Sequence, residues 1–347
     1  MFRKTVKIFS IAVVLMFAGL IILKPFVCSK GALSGLLICG RVIIPSLFPF
    51  TICVIFIMRS GLLSRLCFLD KVTTKILGLD SYETGLVIMS LIGGYPVGAK
   101  LLNNAVKMGE ITSNRAGQML EFCVNAGPAF IVSAVGSTLL HSAKLGYILL
   151  ICHILSGFVL ILIFKVKGEK RKKVSQKPER VSVMDNFVLS VSEAAGSVMG
   201  ICSFVILFSV INEYMNSLAK YFKGLKNISI LLEVANGVTL TNNLYIICFL
   251  LGFSGVCVWC QILSVSNSVK INYIKFVLSR FIHGILSVAF LWIIFKIFKI
   301  SVAVSFFEVK YNYSTPILSL SMLLMCIVFM ISVVGKKYSG KILEDMV

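Results

Sequence analysis

Helix-breaking residues stand inside apolar runs long enough to cross a bilayer, and the densest group is Gly93-Gly94-Tyr95-Pro96-Val97-Gly98-Ala99-Lys100. Three glycines, a proline and a lysine in eight positions constrain the fold severely. Backbone N–H and C=O groups released by Gly and Pro find no water in hydrocarbon, so broken backbone persists there only when packed in protein or lining a cavity. Discontinuous helices of this kind build the binding sites of many secondary transporters near the bilayer midplane.

The rest of the chain supports that setting. Of 347 residues, 58% are hydrophobic and 14% charged, and the mean hydropathy is +0.97, well beyond an average soluble domain. A formal charge of +20 would ordinarily suggest nucleic acid as a partner. The positions exclude that reading, because the basic residues flank apolar runs: Arg3, Lys4 and Lys7, then Arg59 to Lys75, Lys165 to Arg180, and Lys336, Lys337 and Lys341. This is positive-inside patterning, and the expected partner is the lipid bilayer. The eleven cysteines are irregularly spaced in apolar stretches and read as reduced packing residues. Cys257-Val-Trp-Cys260 lacks the βαβ context of a redox motif. The N-terminal run Ile8 to Leu23 leads into Lys24-Pro25 without a small-residue cleavage site and is expected to stay as a span.

At about 20 apolar residues per span, simple spans are expected near 8–23, 46–63, 144–164, 187–211, 274–295 and 316–335. Two further spans, 112–140 and 244–267, are broken at Gly127-Pro128 and at Gly252-Phe-Ser-Gly255. Segments 84–108 and 228–243 are too short or interrupted to cross and read as re-entrant hairpins, while 25–45 suits an amphipathic interfacial helix. The fold class is an all-α polytopic membrane protein, with about eight spanning helices and two re-entrant hairpins in an inverted repeat. Its units are an N-terminal transmembrane helix (1–24), a first repeat (25–164), a basic cytoplasmic linker (165–186), a second repeat of inverted topology (187–300), and a C-terminal transmembrane helix with a basic tail (301–347). With both termini and the linker cytoplasmic, the order span, hairpin, broken span, span occurs twice with opposite polarity. One repeat then rocks against the other around a fixed site where the broken helices meet.

Candidate substrate-binding residues follow from the breaks: Gly93, Gly94, Tyr95, Pro96, Gly98 and Lys100 in the first hairpin, and Asn125, Gly127 and Pro128 in the first broken span. Their counterparts are Glu233, Asn236 and Gly237 in the second hairpin, with Ser254, Gly255 and Gln261 in the second broken span. Ionisable groups in hydrocarbon are costly and mark function by default. Lys100 is suited to meeting an anion or a carboxylate, and equally to snorkelling toward headgroups. Glu233 and Glu193 offer a coupling cation a ligand, or Lys100 a partner, the structural alternative being a buried carboxylate satisfied by backbone donors or interface water. Asn125 and Ser254 either touch substrate or cap freed backbone. Arg280 and His283, at (i, i+3), can form a polar contact on one face but read rather as packing or an interfacial anchor. Three histidines, His141, His153 and His283, without paired ligand spacing argue against a metal site, and no cofactor is expected. No serine–histidine–carboxylate set is present, so an enzyme is not expected.

At Gly-Gly-Tyr-Pro-Val-Gly-Ala-Lys, with the later Asn-Ala-Gly-Pro, Leu-Leu-Glu-Val-Ala-Asn-Gly and Gly-Phe-Ser-Gly, the chain resembles the sporulation integral membrane proteins of the YlbJ (stage V sporulation protein VV) type. These carry a duplicated gate, or nucleoside-recognition, domain similar in architecture to concentrative nucleoside transporters. The resemblance implies a multi-pass protein of the cell membrane, in sporulating cells the mother-cell-derived outer forespore membrane, that transports the dianion dipicolinate. Against the family pattern, Gly93 stands where a Ser is expected and Ala126 where a small polar residue is expected. A non-transporting scaffold for spore-envelope assembly is the competing reading, and a homo-oligomer is compatible with either.

Overall fold

The computed structural model describes residues 2–60, 70–166, 182–219, 221, 225–241 and 243–298. Most of the linker, and the C-terminal unit 301–347 with its expected span 316–335, lie outside the described residues.

Helix α1 (Phe2–Leu23) ends at Lys24, and α2 (Pro25–Ile38) starts with its proline in the first turn, where a missing N–H costs nothing. A π-turn at Cys39–Ile43 joins α2 to α3 (Ile44–Arg59) without a stop. The turn sits just ahead of Pro45 and takes up the register change that a proline imposes on a helix. The result is one apolar helix of 35 residues, Pro25–Arg59. It packs along α9 (Val183–Leu218), a helix of 36 residues.

This pairing overturns the interfacial helix expected over 25–45. Gly31 and Gly35 stand one turn apart on the face of α2 that meets α9, so close that an added Cβ would lie 2.7 Å from the Cα of Val210 or of Ile206. Small residues four apart let two membrane helices approach to backbone contact, and that contact makes the segment part of a span. The helices run antiparallel, with Lys30 Nζ 2.6 Å from Glu213 Oε1 at one end and Arg59 Nη2 3.1 Å from Glu193 Oε2 at the other. Gly35→Leu is expected to force the backbones apart at a cost of about 3 kcal/mol, the upper end for overpacking, read as a lower midpoint of thermal unfolding in detergent.

After α4 (Asp70–Leu77) come the paired short helices α5 (Ser81–Gly93) and α6 (Val97–Lys107), separated by the Gly-Tyr-Pro break. Asp80 and Glu83 start α5 with a reciprocal capping box. Helix α7 (Ser113–Leu120) gives way to irregular backbone and then to a π-helical stretch, Ala129–Leu139, before α8 (Ala143–Ile163). The second half repeats the order: long helix α9, then α10 (Leu225–Leu232) and α11 (Val234–Leu240), then α12 (Leu244–Phe253) and α13 (Gly255–Val265), then α14 (Tyr273–Phe298). In each half a glycine pair seals the broken element to the helix after it. Gly136 meets Gly146 in the first, and Gly252 meets Gly284 in the second.

Among the described residues the structure is helical without strands, and five helices are long and apolar enough to cross a membrane: Pro25–Arg59, Ala143–Ile163, Val183–Leu218, Leu244–Val265 and Tyr273–Phe298. Of the eight expected spans, 316–335 lies outside the described residues, and 112–140 is not one broken span but an eight-residue helix and an eleven-residue π-helix, each too short to cross about 30 Å of hydrocarbon.

Candidate functional site

Each half carries two interruptions, and each is stabilised locally. At the first, Gly94 adopts φ 72°, a conformation costly to any residue with a Cβ, and the Tyr95–Pro96 peptide is cis. The glycine also makes room for a neighbour, since a Cβ there would lie 2.6 Å from the Gly127 nitrogen. The first break therefore rests directly on the second.

The second break, residues 121–128, is held from outside. Arg280 of α14, wholly buried, donates to the Glu121 and Val124 carbonyl oxygens. His153 of α8 accepts through Nε2 from the Ala126 N–H at 3.0 Å, and its ring stacks on that of His283 with centroids 4.3 Å apart. Asn125 donates from Nδ2 to the Phe122 carbonyl at 2.8 Å. The interfacial-anchor reading of Arg280 is thereby corrected: a guanidinium with two carbonyls to satisfy stays in the interior rather than seeking headgroups. Its (i, i+3) spacing from His283 was visible in the sequence, and the carbonyls the two residues face, at 121–128 and at His153 of α8, were not.

At the third break the Glu233 side chain caps α11, accepting from the N–H groups of Ala235 (2.9 Å) and Asn236 (2.6 Å). At the fourth, Ser254 lies in the left-handed region at φ 72°, between α12 and α13, and Trp259 Nε1 donates to the Phe253 carbonyl at 3.1 Å. Gly255 packs against Val234 and the carbonyls of Leu231 and Leu232, so the third and fourth breaks also touch.

Three of the four breaks supply the wall of a narrow crevice of about 40 Å³, lined by Gly93, Gly94 and Tyr95, by Gly127, and by Glu233, together with Gln261 of α13 and Ser197, Ile201 and Val205 of α9. Tyr95 Oη and Gln261 Oε1 are buried without a partner among the described residues. Unpaired buried polar atoms are unfavourable unless something fills the site. The crevice adjoins a cavity of about 310 Å³ that shares Val97, Ser197, Ile201 and Gln261 with it and adds Pro96, Lys100, Glu193 and Ser264. In that cavity Lys100 Nζ lies 2.6 Å from Glu193 Oε1 and 3.2 Å from Ser197 Oγ. With Arg59 also on Glu193, two cations share one carboxylate, and the mouth of the cavity carries a net positive charge.

The candidate residues thus sort by position. Gly93, Gly94, Tyr95, Gly127, Glu233 and Gln261 line the crevice, while Pro96 and Lys100 line the adjoining cavity. Asn236 faces a third cavity and donates to Ser209 Oγ at 2.8 Å. Gly98, Asn125, Pro128, Gly237, Ser254 and Gly255 line none of these cavities. Several of them serve the backbone instead: Gly98 packs on the Cys123 carbonyl and Gly237 on that of Ile230. Sequence reasoning did not assign Ser197, Ile201 or Val205, whose signal is only their i, i+4 spacing along α9. Cys257 and Cys260 are free thiols. Among the described residues no group of three or more histidines, cysteines or carboxylates gathers.

No protein-family model and no solved structure matches the chain. Among curated proteins it is similar to the sporulation integral membrane protein YlbJ of Bacillus subtilis (strain 168), at 23% identity over 324 residues, covering 80% of this chain and 79% of that protein. The motif resemblance and this comparison agree: the chain is a membrane protein related to the sporulation integral membrane protein YlbJ.

Proposed function

We propose that the chain is a transporter that moves a small anionic aromatic metabolite across a membrane around the developing spore, by alternating access at the crevice where the breaks meet. The observation that carries this reading is the convergence of interrupted elements from both halves on one partly polar crevice with unpaired buried polar atoms. A purely structural core would be dry and closed. The adjoining cavity, at about 310 Å³, falls in the range of small-ligand sites. Its excess of positive charge suits an anion, which would compete with Glu193 for Lys100 and Arg59. Helix α6 also begins at the crevice and directs its positive dipole end there. Dipicolinate, the substrate that the family resemblance implies, is a single-ring dianion of this class. The duplicated order of elements supports an inverted repeat, with the α5–α6 and α10–α11 pairs as re-entrant hairpins. Glu233, capped by two backbone N–H groups at the crevice wall, is the carboxylate placed to bind a coupling cation.

The test is uptake by purified protein in liposomes, comparing dipicolinate with nucleosides and other aromatic acids. Lys100→Ala is expected to lower dipicolinate uptake about tenfold to a hundredfold, the equivalent of one lost charged hydrogen bond, while the protein stays folded. Uptake unchanged in Lys100→Ala, or absent from wild type against every solute, would favour a scaffold in spore-envelope assembly instead.

A further inference from the structure

A third cavity, of about 270 Å³, lies against the other half of α9, with Lys30, Ser209, Asn212, Glu213, Asn236 and Thr239 in its wall. Three observations connect it with the crevice. The cavities are strung along one helix: α9 residues 192–204 line the first, 197–205 the crevice and 209–216 the third. Glu193 and Glu213, one in each outer cavity, are separated on α9 by about 30 Å at 1.5 Å per residue, the thickness of a hydrocarbon core. The crevice-lining Ile201 and Val205 fall at the middle of that distance. Moreover, the two broken pairs lean opposite ways. From the crevice the first continues through Pro96 to Lys100 into one outer cavity, and the second through Asn236 to Thr239 into the other.

Asn212 supplies the second, independent sign of a ligand. It is 4% exposed, and neither its Nδ2 nor its Oδ1 has a partner among the described residues. A primary amide buried in a membrane helix without a hydrogen bond is unfavourable for folding. Its retention at the wall of a cavity is explained by a solute that accepts from Nδ2 and donates to, or reaches through water, Oδ1.

We propose that this cavity is the second mouth of a route along α9, opening on the membrane face opposite the Lys100–Glu193 cavity, and that Asn212 receives a small carboxylate-bearing solute there beside the Lys30 ammonium. The inference rests on the transport reading and extends it, because a transporter needs a site of entry on each side. Each mouth has the same construction, a lysine of one half held by a glutamate of α9, at 2.6 Å in both cases. Lys30 is the more exposed of the two lysines, so its ammonium is open to exchange Glu213 for a solute carboxylate.

Two experiments on the full chain test this, one of them independent of transport. Single variants Ser264→Cys and Thr239→Cys, at exposed positions of the first and third cavities, are treated with a membrane-impermeant charged methanethiosulfonate in right-side-out and in inverted vesicles. Modification at the introduced position is read by peptide mass spectrometry. The expected result is modification of the two positions from opposite sides. Modification of both from one side, or of neither, would overturn the second mouth and leave the Lys100 cavity and its uptake assay standing. Asn212→Leu is then measured for dipicolinate uptake and for thermal unfolding. Uptake about tenfold lower, with an unfolding midpoint equal to or above wild type, supports a solute-binding amide. A lowered midpoint with normal uptake makes Asn212 a folding residue and removes it from the route. If wild type carries no solute while the two cysteines label from opposite faces, the transport reading fails and the two-mouthed architecture survives it.

Discussion

Arg280→Met is expected to destabilise the protein by about 2–6 kcal/mol, at about 1–3 kcal/mol for each buried carbonyl left unsatisfied. The two carbonyls are those of Glu121 and Val124, which receive the guanidinium at the second break. Among the described residues no other donor is recorded for either. Removing a buried charge relieves its own desolvation, which works in the opposite direction. The relief is smaller than the loss because the irregular backbone at 121–128 stays where it is, pinned by His153 on the Ala126 N–H and by Gly94 against Gly127. At 2–4 °C per kcal/mol for a large domain, the unfolding midpoint should fall by roughly 10 °C. Detergent-solubilised protein with a thiol-reactive dye reports this directly, because most described cysteines are buried free thiols. Arg280→Lys keeps the charge without the fork that reaches both carbonyls, and should fall between the two. A methionine variant that unfolds with wild type would show that water or a rearranged backbone satisfies the break.

Removal of either partner of the Glu83–Arg115 pair is expected to cost about 3–5 kcal/mol, the effect of stranding one buried charge. Glu83 is fully buried and Arg115 is 5% exposed. The pair is bidentate: Arg115 Nε donates to one carboxylate oxygen, and Nη2 donates to the other at 2.7 Å and to the Gly78 carbonyl at 2.9 Å. Glu83 also accepts from the Asp80 N–H at 3.0 Å, so its loss opens the start of α5 as well. The double variant Glu83→Leu with Arg115→Met should be less damaging than the sum of the singles, since it strands no charge. Additive losses in that cycle would mean that the two side chains act separately. The functional readout should follow stability, because the bridge joins α5 to α7 and so fixes the arms that lead into the first two breaks.

The breaks themselves were legible. Gly and Pro in hydrocarbon have few roles, and the structure interrupts the helices at Gly94–Pro96, 121–128, Glu233 and Ser254. Their convergence was legible through Glu233 and Gln261, which are costly in a membrane and do face the crevice. What polar identity did not reveal was which cavity each side chain reaches. Lys100 is only one turn beyond Pro96 in sequence, yet its ammonium lies in the adjoining cavity with Glu193. Asn125 and Ser254 were open between substrate and backbone: neither lines the three cavities, Ser254 Oγ donates to the Gly252 carbonyl, and Asn125 donates from Nδ2 to the Phe122 carbonyl while its Oδ1 stays unpaired among the described residues. The segment 25–45 was misjudged because lysine, glycine and proline resemble an interfacial helix when read alone. Only the partner helix shows that Gly31 and Gly35 are a packing stripe. Likewise nothing local to Arg280 or His153 states which remote carbonyl or N–H lacks a partner. That information belongs to the broken segment, more than a hundred residues from Arg280.

The seating of Gly31 and Gly35 on the backbone of α9 limits how the molecule can move. Glycines lodged against opposing Cα atoms act as detents, so sliding one long helix past the other is not gradual but requires a jump of a whole helical turn, about 5.4 Å. The ion pairs at both ends of the pair would have to let go in the same event. In the proposed transport cycle the two long helices would then form a fixed spine shared by both halves, and the change of access would fall to the shorter broken elements.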